Sequence, residues 1–238
     1  MPTQNLLYKK HLRISDHISV QVPKLRDIIQ QEDNYYGIVS MITATPYDMM
    51  VQLDDKGVDF TTIDDYELFL MTFETLKGSD TSLIFGDLDL SSFHLMISPQ
   101  NNLVVLRSSD TGLIIDKGTH LKICQALRTI HGLTRNNKMP GNNDAKEYLL
   151  QRERRKLKRR MNRVENSQLE EMIVALVNTE QFSYDYDSVL DLTIYQFNES
   201  VRQIVKKIDF DNRMHGIYSG TVSAKDINPD ELNWMKHK

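Results

Sequence analysis

The segment Gly132–Asn143 constrains the fold most, because it carries no apolar periodicity and separates two stretches with different patterns. It is rich in Asn and Gly and contains Pro140, a composition typical of connections between structural units. The stretch before it mixes alternating and helical spacing, whereas the stretch after it has almost only helical spacing. We therefore predict a mixed α+β domain at residues 1–132, a linker at 133–143 and a helical domain at 144–238.

The first domain combines strand signals with helix signals. Short runs with strand character are separated by turn residues, and they occur at His17–Val22, Phe93–Ile97, Leu103–Leu106 and Leu113–Ile115. Helical stretches begin at a capping residue or a proline and end near a glycine or at a polar residue, and they occur at Pro23–Gln31, Thr45–Gly57, Thr62–Leu76 and Thr119–Gly132. These signals predict an α+β fold in which helices pack on a small antiparallel sheet.

Apolar residues in the second domain recur at helical spacing. A long basic helix follows the linker, and its apolar stripe has steps of seven, four and three at Leu150, Leu157, Met161 and Val164. Ser167 begins a second helix, with Glu170 at the spacing of a capping box. The apolar face of this helix consists of Leu169, Met172, Ile173, Leu176 and Val177.

Two further helices and a short apolar element complete the prediction. Thr193 caps a helix whose apolar residues are Ile194, Phe197, Val201, Ile204, Val205 and Ile208. Met214, Ile217 and Tyr218 lead to Gly220, and Asn228-Pro229 then begins a short last helix that presents Trp234. The chain has no internal repeats.

Bulk composition excludes several classes of protein. The net charge is −4 at pH 7, so the whole chain has no electrostatic drive toward nucleic acid or acidic membranes. One cysteine, Cys124, allows neither a disulfide framework nor a multi-cysteine metal site. No segment approaches the roughly 20 apolar residues of a spanning helix. We expect a reduced, cytoplasmic protein that makes no use of a membrane.

The sequence contains no motif for catalysis, such as a Gly-rich phosphate loop, GxSxG, HExxH or paired CxxC. His120 and His131 share a helix face but lie roughly 16 Å apart along it, too far for one metal ion. Ser15, Asp16 and His17 have the residue types of a triad, yet adjacent strand residues point to opposite faces.

Two other residue patterns have residue types that occur in functional sites. Asp87 and Asp89 could hold a divalent cation on one face of an extended segment, but two carboxylates without a third ligand are common in acidic loops. Cys124 is more consistent with a small buried residue than with a nucleophile, because no base is identified. We predict no catalytic residue, no metal ligand and no cofactor.

Charge is distributed unevenly along the chain. The range Pro46–Ser91 has eleven acidic residues and two lysines, whereas Arg152–Arg163 has eight basic residues and one acidic residue. One interpretation is contact with a nucleic-acid backbone through Arg154, Arg155, Lys158, Arg159 and Arg160. The other interpretation is pairing with acidic patches of this chain or of a neighbouring protein, since the nearest aromatic residue that could stack on a base is Tyr148.

The end of the chain resembles the tail-assembly chaperones of tailed bacteriophages. In these proteins a helix start of the type Thr-apolar-Tyr-Gln precedes a small-residue turn and a terminal tryptophan. The matching positions here are Leu192 to Phe197, Gly220 and Trp234. The resemblance covers about a fifth of the chain.

The resemblance implies a virus-encoded, non-enzymatic protein that acts in the host cytoplasm. It is compatible both with retention of the protein in the virion and with its release after assembly. Its partners would be other tail proteins, namely the helical tape-measure protein and the tail-tube subunits, and self-association is compatible with it. A helical partner would contact the apolar stripes of the helical domain. The candidate partner-binding residues are Leu169, Met172, Ile173, Leu176, Ile194, Phe197, Val201 and Trp234. A nucleic-acid-binding regulator that uses residues 152–163 is the alternative function.

Overall fold

A computed structural model describes residues 5–99, 102–160, 167–223, 227 and 233–235. It has the α+β fold that the sequence predicts, with strands and helices in the first part and a helical C-terminal part. Four positions named above, Met161, Arg163, Val164 and the helix start at Asn228-Pro229, lie outside the described residues.

Five strands of the described residues form two small antiparallel sheets. Strands β1 (His11–Arg13) and β2 (Ser19–Gln21) form a two-stranded sheet. Strands β3 (Phe93–Ile97), β4 (Val104–Ser108) and β5 (Ile114–Ile115) form a three-stranded sheet in that order. The strand runs of the sequence are therefore confirmed, and β1 is an additional strand that the sequence pattern did not indicate.

The first part also contains six helices within the described residues. They are α1 (Leu25–Ile29), α2 (Glu32–Thr43), α3 (Met50–Asp55), α4 (Asp65–Lys77), α5 (Ser82–Phe85) and α6 (Lys117–His131). Three predicted caps, Thr45, Thr62 and Thr119, are wrong: α3 begins after Met49 without a side-chain cap, and acidic side chains cap α4 and α6. Asp64 caps α4 in a box with Glu67, and Asp116 caps α6 by accepting a hydrogen bond from the Thr119 N–H.

The C-terminal part is helical, with α7 (Asn143–Arg160), α8 (Gln168–Val177), α9 (Tyr186–Val189) and α10 (Ile194–Tyr218). Ser167 caps α8 as predicted, and Thr193 caps α10 in a box with Gln196. The apolar element expected near Met214 is the continuation of α10 and not a separate helix. No described helix is long and apolar enough to cross a membrane.

One main core joins the two predicted domains. Buried side chains of the strands and of α1, α2, α4 and α6 pack in the same cluster as those of α8 and α10. Backbone hydrogen bonds reinforce this junction: the Leu25 N–H donates to the Leu192 carbonyl, and the Ile194 N–H donates to the Pro23 carbonyl, both at 2.9 Å. The regions on either side of residues 133–143 therefore share a core.

Helix α7 packs on a second, smaller cluster. Leu150 is buried there against α3, α4 and the loop between them, in contact with a group that includes Met50, Leu53, Phe60 and Leu68. The preceding segment, residues 133–142, contains no helix or strand and runs along the surface. Both Nε and Nη2 of Arg135 bind the Asp65 carboxylate, which holds this segment to α4.

Candidate interaction surfaces

Most of the predicted partner-binding side chains lie inside the protein. Five of them are buried in the main core: Leu169, Ile173, Leu176, Ile194 and Phe197. Val201 is partly buried and packs against the same core. In this structure these six side chains stabilise the fold, and the five buried ones have no surface to offer a partner.

Two members of the predicted set reach the surface. Met172 is exposed on the outer side of α8, and Trp234 is partly exposed. Val174, which the sequence pattern did not select, is exposed on α8 as well. The sequence pattern did not indicate the outward face of α8, because helical periodicity identifies the side of a helix that packs on the core. It does not identify apolar residues on the exposed side.

An apolar surface outside the core lies on the distal half of α10, defined here as residues 205–218. The core-facing stripe of α10 runs through Ile194, Phe197, Val201 and Ile204, and with the next helical step it reaches Ile208. Ile204 is buried, but Ile208 is 38% exposed and the adjacent Val205 is 60% exposed. The stripe therefore continues about one turn beyond the part of the core that covers it.

A second apolar stripe of the distal half faces the C-terminal residues. Phe210, Met214 and Ile217 are half-buried and, within the described chain, do not join the main core. The Lys207 ammonium lies 5.7 Å from the Phe210 ring centre and 5.6 Å from the Trp234 ring centre, which places Trp234 against this helix. The Trp234 carbonyl accepts a hydrogen bond from the Gln203 amide at 2.8 Å.

Ion pairs join the inner side of helix α7 to the acidic range Pro46–Ser91. An Arg154 Nη2 atom lies 2.7 Å from Asp54 Oδ2 and 2.5 Å from Asp55 Oδ1. Lys146 Nζ lies 2.6 Å from Asp59 Oδ2, and this hydrogen bond lowers the pKa of Asp59 to about 2. Arg154 therefore pairs within the chain, as the second interpretation of the basic run predicts.

The opposite side of α7 is a basic face, defined by Tyr148, Arg152, Arg155 and Arg159. These residues follow steps of four, three and four, so they share one side of the helix, and all four are exposed. Together with Lys156 they line a shallow cavity of about 230 Å³. Among the described residues, the three arginines form no ion pair with a carboxylate.

The two remaining candidates for nucleic-acid contact, Lys158 and Arg160, are exposed near the end of α7. Neither forms a salt bridge within the described ranges of the chain, whereas Lys156 pairs with Glu153 at 2.7 Å. The five predicted residues thus divide into one held by aspartates, Arg154, and four that face solvent, namely Arg155, Lys158, Arg159 and Arg160.

A histidine and the cysteine lie together inside the core. Cys124 Sγ is 3.3 Å from His120 Nε2, and both groups contact the Ile42 carbonyl oxygen at 3.2 Å. Burial raises the pKa of the Cys124 thiol to about 12 and lowers the pKa of His120 to about 4. Each residue is only 2% exposed. The pair is therefore neutral at pH 7 and closed to a substrate.

The other histidines and acidic pairs are dispersed. His131 Nε2 lies 3.0 Å from the Tyr35 hydroxyl, and burial lowers the pKa of His131 to about 4. Asp16 pairs with Arg13 and not with His17. Asp89 accepts hydrogen bonds from the Ser91 N–H and hydroxyl. Across the part of the chain that the structure describes, no three His, Cys, Asp or Glu side chains are grouped as metal ligands.

Comparison with known proteins connects the C-terminal part to bacteriophages. Residues 160–238 match the sequence model of a family described as YomV second domain, and this family is phage-derived. The matched range begins at the last residue of α7 and includes α8, α9 and α10. No curated protein and no solved structure matches the chain. The similarity therefore links this part of the chain to a phage family.

Proposed function

We propose that this protein is a non-enzymatic phage assembly factor that binds a long helical partner through the distal half of α10. The observation that carries the proposal is the apolar stripe of α10, which is buried as far as Ile204 and continues uncovered to Ile208. A helix that extends its apolar face beyond its own core offers a second helix a surface on which to pack.

The size of this surface suits a helix-on-helix contact. Helix α10 has 25 residues, so at 1.5 Å per residue it is roughly 37 Å long, and its distal half contributes about 20 Å. Covering the exposed 60% of Val205 and 38% of Ile208 would contribute about 1 kcal/mol for each side chain. Tyr218 is exposed at the end of the same helix.

The family match supports a phage partner, and the resemblance of the end of the chain to tail-assembly chaperones points to a tail protein. The matched residues 160–238 contain the whole of α10. The Thr193 capping box and the positions of Gly220 and Trp234 agree with the arrangement in tail-assembly chaperones. A tape-measure protein, which is long and helical in that family's biology, is the partner that the proposal names, with tail-tube subunits as the second component of the assembly. The protein would act in the host cytoplasm, with or without retention in the virion.

The proposal assigns no chemical step to the protein. Cys124 and His120, a nucleophile and a base that the fold brings together, are neutral and buried. A thiolate is the reactive form of cysteine, and burial disfavours it here. The surface features, in contrast, are apolar and basic helix faces, which suit binding.

Co-purification tests the proposal directly. The full chain would be co-expressed with fragments of a phage tape-measure protein, and with a tail-tube protein as a separate arm. A stoichiometric complex with a tape-measure fragment is expected, and the double variant Val205→Asp/Ile208→Asp should lose it. Absence of a complex with every tape-measure fragment would refute the proposed partner.

A second candidate function is nucleic-acid binding through the basic face of α7. The specific observation in its favour is that Tyr148 lies on the same exposed side as Arg152, Arg155 and Arg159. Arginines that track phosphates and an aromatic ring on which a base stacks are the elements of a single-strand binding surface. This function and the first use different helices, so variants can separate them.

A further inference from the structure

Strand β3 forms an open edge of the three-stranded sheet. The sheet order is β3-β4-β5, so β3 has a neighbour on one side only. The Ser98 N–H donates to the Leu103 carbonyl and the Ser109 N–H donates to the Ser92 carbonyl, which shows that the even-numbered residues of β3 face β4. The N–H and C=O groups of Leu95 and Ile97 therefore point away from the sheet.

Nothing in the described structure occupies this edge at Leu95 and Ile97. No hydrogen bond within the described ranges reaches the outward N–H or C=O of either residue, and β4 is the one described element that packs along most of β3. The side chains are exposed too, Leu95 by 48% and Ile97 by 61%. Toward the start of β3 the Lys77 side chain limits access to the edge, because its Nζ lies 3.4 Å from His94 Nδ1.

Exposed sheet edges are usually protected by a lysine, a proline or a covering segment. The strand Phe93–Ile97 has the sequence FHLMI, with neither a lysine nor a proline. Leu95, Ile97 and the cross-strand neighbour Val104 lie on the same face, and all three are exposed. The edge thus combines unpaired backbone groups with a continuous apolar surface.

We propose that a second copy of this chain pairs with β3 in an antiparallel, two-fold arrangement and forms a six-stranded sheet. In the register that pairs the outward N–H and C=O groups of Leu95 and Ile97, the two-fold axis passes at Met96. Leu95 then lies opposite Ile97 of the second copy, and Ile97 lies opposite its Leu95, so the outward N–H and C=O groups make four hydrogen bonds.

The strand is complementary to itself in this register. Two leucine–isoleucine pairs come together on one face, and the two Met96 side chains meet on the other. No like charges lie opposite each other among Leu95, Met96 and Ile97, which is the requirement that most often prevents a strand from pairing with itself. A second copy needs no additional sequence feature, since it brings the same alternation and the same unpaired groups.

Sedimentation of the full chain tests the association. The mass is expected to rise with concentration from 27.7 kDa toward twice that value. Ile97→Lys places a charge in the interface and should raise the dissociation constant about tenfold or more. Ile114→Lys is the matched control, because Ile114 is equally apolar and exposed but lies on β5. A monomer at every concentration, or equal association of the Ile97→Lys variant and the wild type, would overturn the proposal.

Disulfide trapping tests the register. In the proposed dimer, Met96→Cys brings its own counterpart to a Cα separation of about 4.5 Å, which a disulfide can span. His94→Cys lies on the same face of the same strand, but its counterpart is roughly 14 Å away along the strand. Rapid cross-linking of Met96→Cys alone is expected. Cross-linking of His94→Cys at the same rate would contradict the pairing, and equal melting temperatures of the variants would show that both fold.

Discussion

The carboxylate of Glu32, in the first turn of α2, accepts a hydrogen bond from the backbone N–H of Leu169, in the first turn of α8, at 3.1 Å. The Ser167 hydroxyl donates to the other oxygen of the same carboxylate. A negative charge at a helix N-terminus satisfies free N–H groups and opposes the helix dipole. Glu32 thus joins the α+β part to the first helix of the phage-related part.

Removal of this contact should destabilise the fold. Glu32→Ala leaves the Leu169 N–H and the Ser167 hydroxyl without their partner and should lower the free energy of unfolding by about 1–2 kcal/mol, measured by urea denaturation. Asp33→Ala is the control, since it removes an equivalent charge from the same helix turn but its side chain is exposed. Equal losses in the two variants would show that the charge near α2, and not the contact with α8, is what matters.

The basic face of α7 predicts a specific order of variants in nucleic-acid binding. Arg155→Ala/Arg159→Ala should weaken binding to a single-stranded oligonucleotide and lower its salt slope by roughly 1.5, because two phosphate contacts are lost. Tyr148→Ala should weaken binding with little change in slope, because stacking on a base is not ionic. Fluorescence anisotropy over a range of salt concentrations measures both quantities.

Arg154→Ala provides the internal control for that experiment. Its guanidinium is already held by Asp54 and Asp55, so its loss should leave affinity for the oligonucleotide nearly unchanged. An equal loss for Arg154→Ala and Arg155→Ala would mean that the basic face is not the contact. Failure of the wild-type chain to bind at low salt would remove this second function.

Stability should fall as the pH decreases from 7 toward 4. The pKa values of His120 and His131 are about 4 in the folded chain against an ordinary value of 6.5, so the unfolded chain binds more protons between these limits. The contribution of each histidine is complete above pH 6.5 and is lost as the pH falls. Roughly 2 kcal/mol for each is expected between pH 7 and 5.

Urea denaturation at several pH values measures this dependence. His131→Gln should flatten it, because an amide binds no proton in the unfolded chain, and exposed His17→Gln is the control. The account of the buried histidines is wrong if the His131→Gln variant loses stability on acidification as steeply as the wild type.

The strand runs and some of the helix ends were predictable because a few local residues determine them. Ser167 and Thr193 cap α8 and α10 as their spacing indicates, and Gly132 ends α6 in the left-handed conformation. Helix α2 was missed, since its sequence, EDNYYGIVSMIT, has Gly37 and several β-branched or aromatic residues that disfavour helix locally. Packing of Tyr35 and Val39 in the core stabilises it instead.

The candidate site was less predictable, because an apolar stripe does not reveal what covers it. Leu169 and Phe197 belong to the same kind of pattern as Ile208, but the first two meet the α+β part and Ile208 does not. That difference depends on how far the α+β part extends along each helix, which the apolar pattern of the helix does not show. The same limit applies to β3, whose alternation predicts a strand but not that its outer edge is open.

The measurement that tests the central claim most directly is the affinity of the chain for a tape-measure helix, compared between two aspartate variants. Val205→Asp/Ile208→Asp changes the uncovered stripe of α10, whereas Leu121→Asp changes an exposed leucine on α6. Titration calorimetry should show that the first variant weakens binding at least tenfold, a difference of about 1.4 kcal/mol, while Leu121→Asp binds like the wild type. Unchanged affinity of the α10 variant, with its melting temperature intact, would contradict the account.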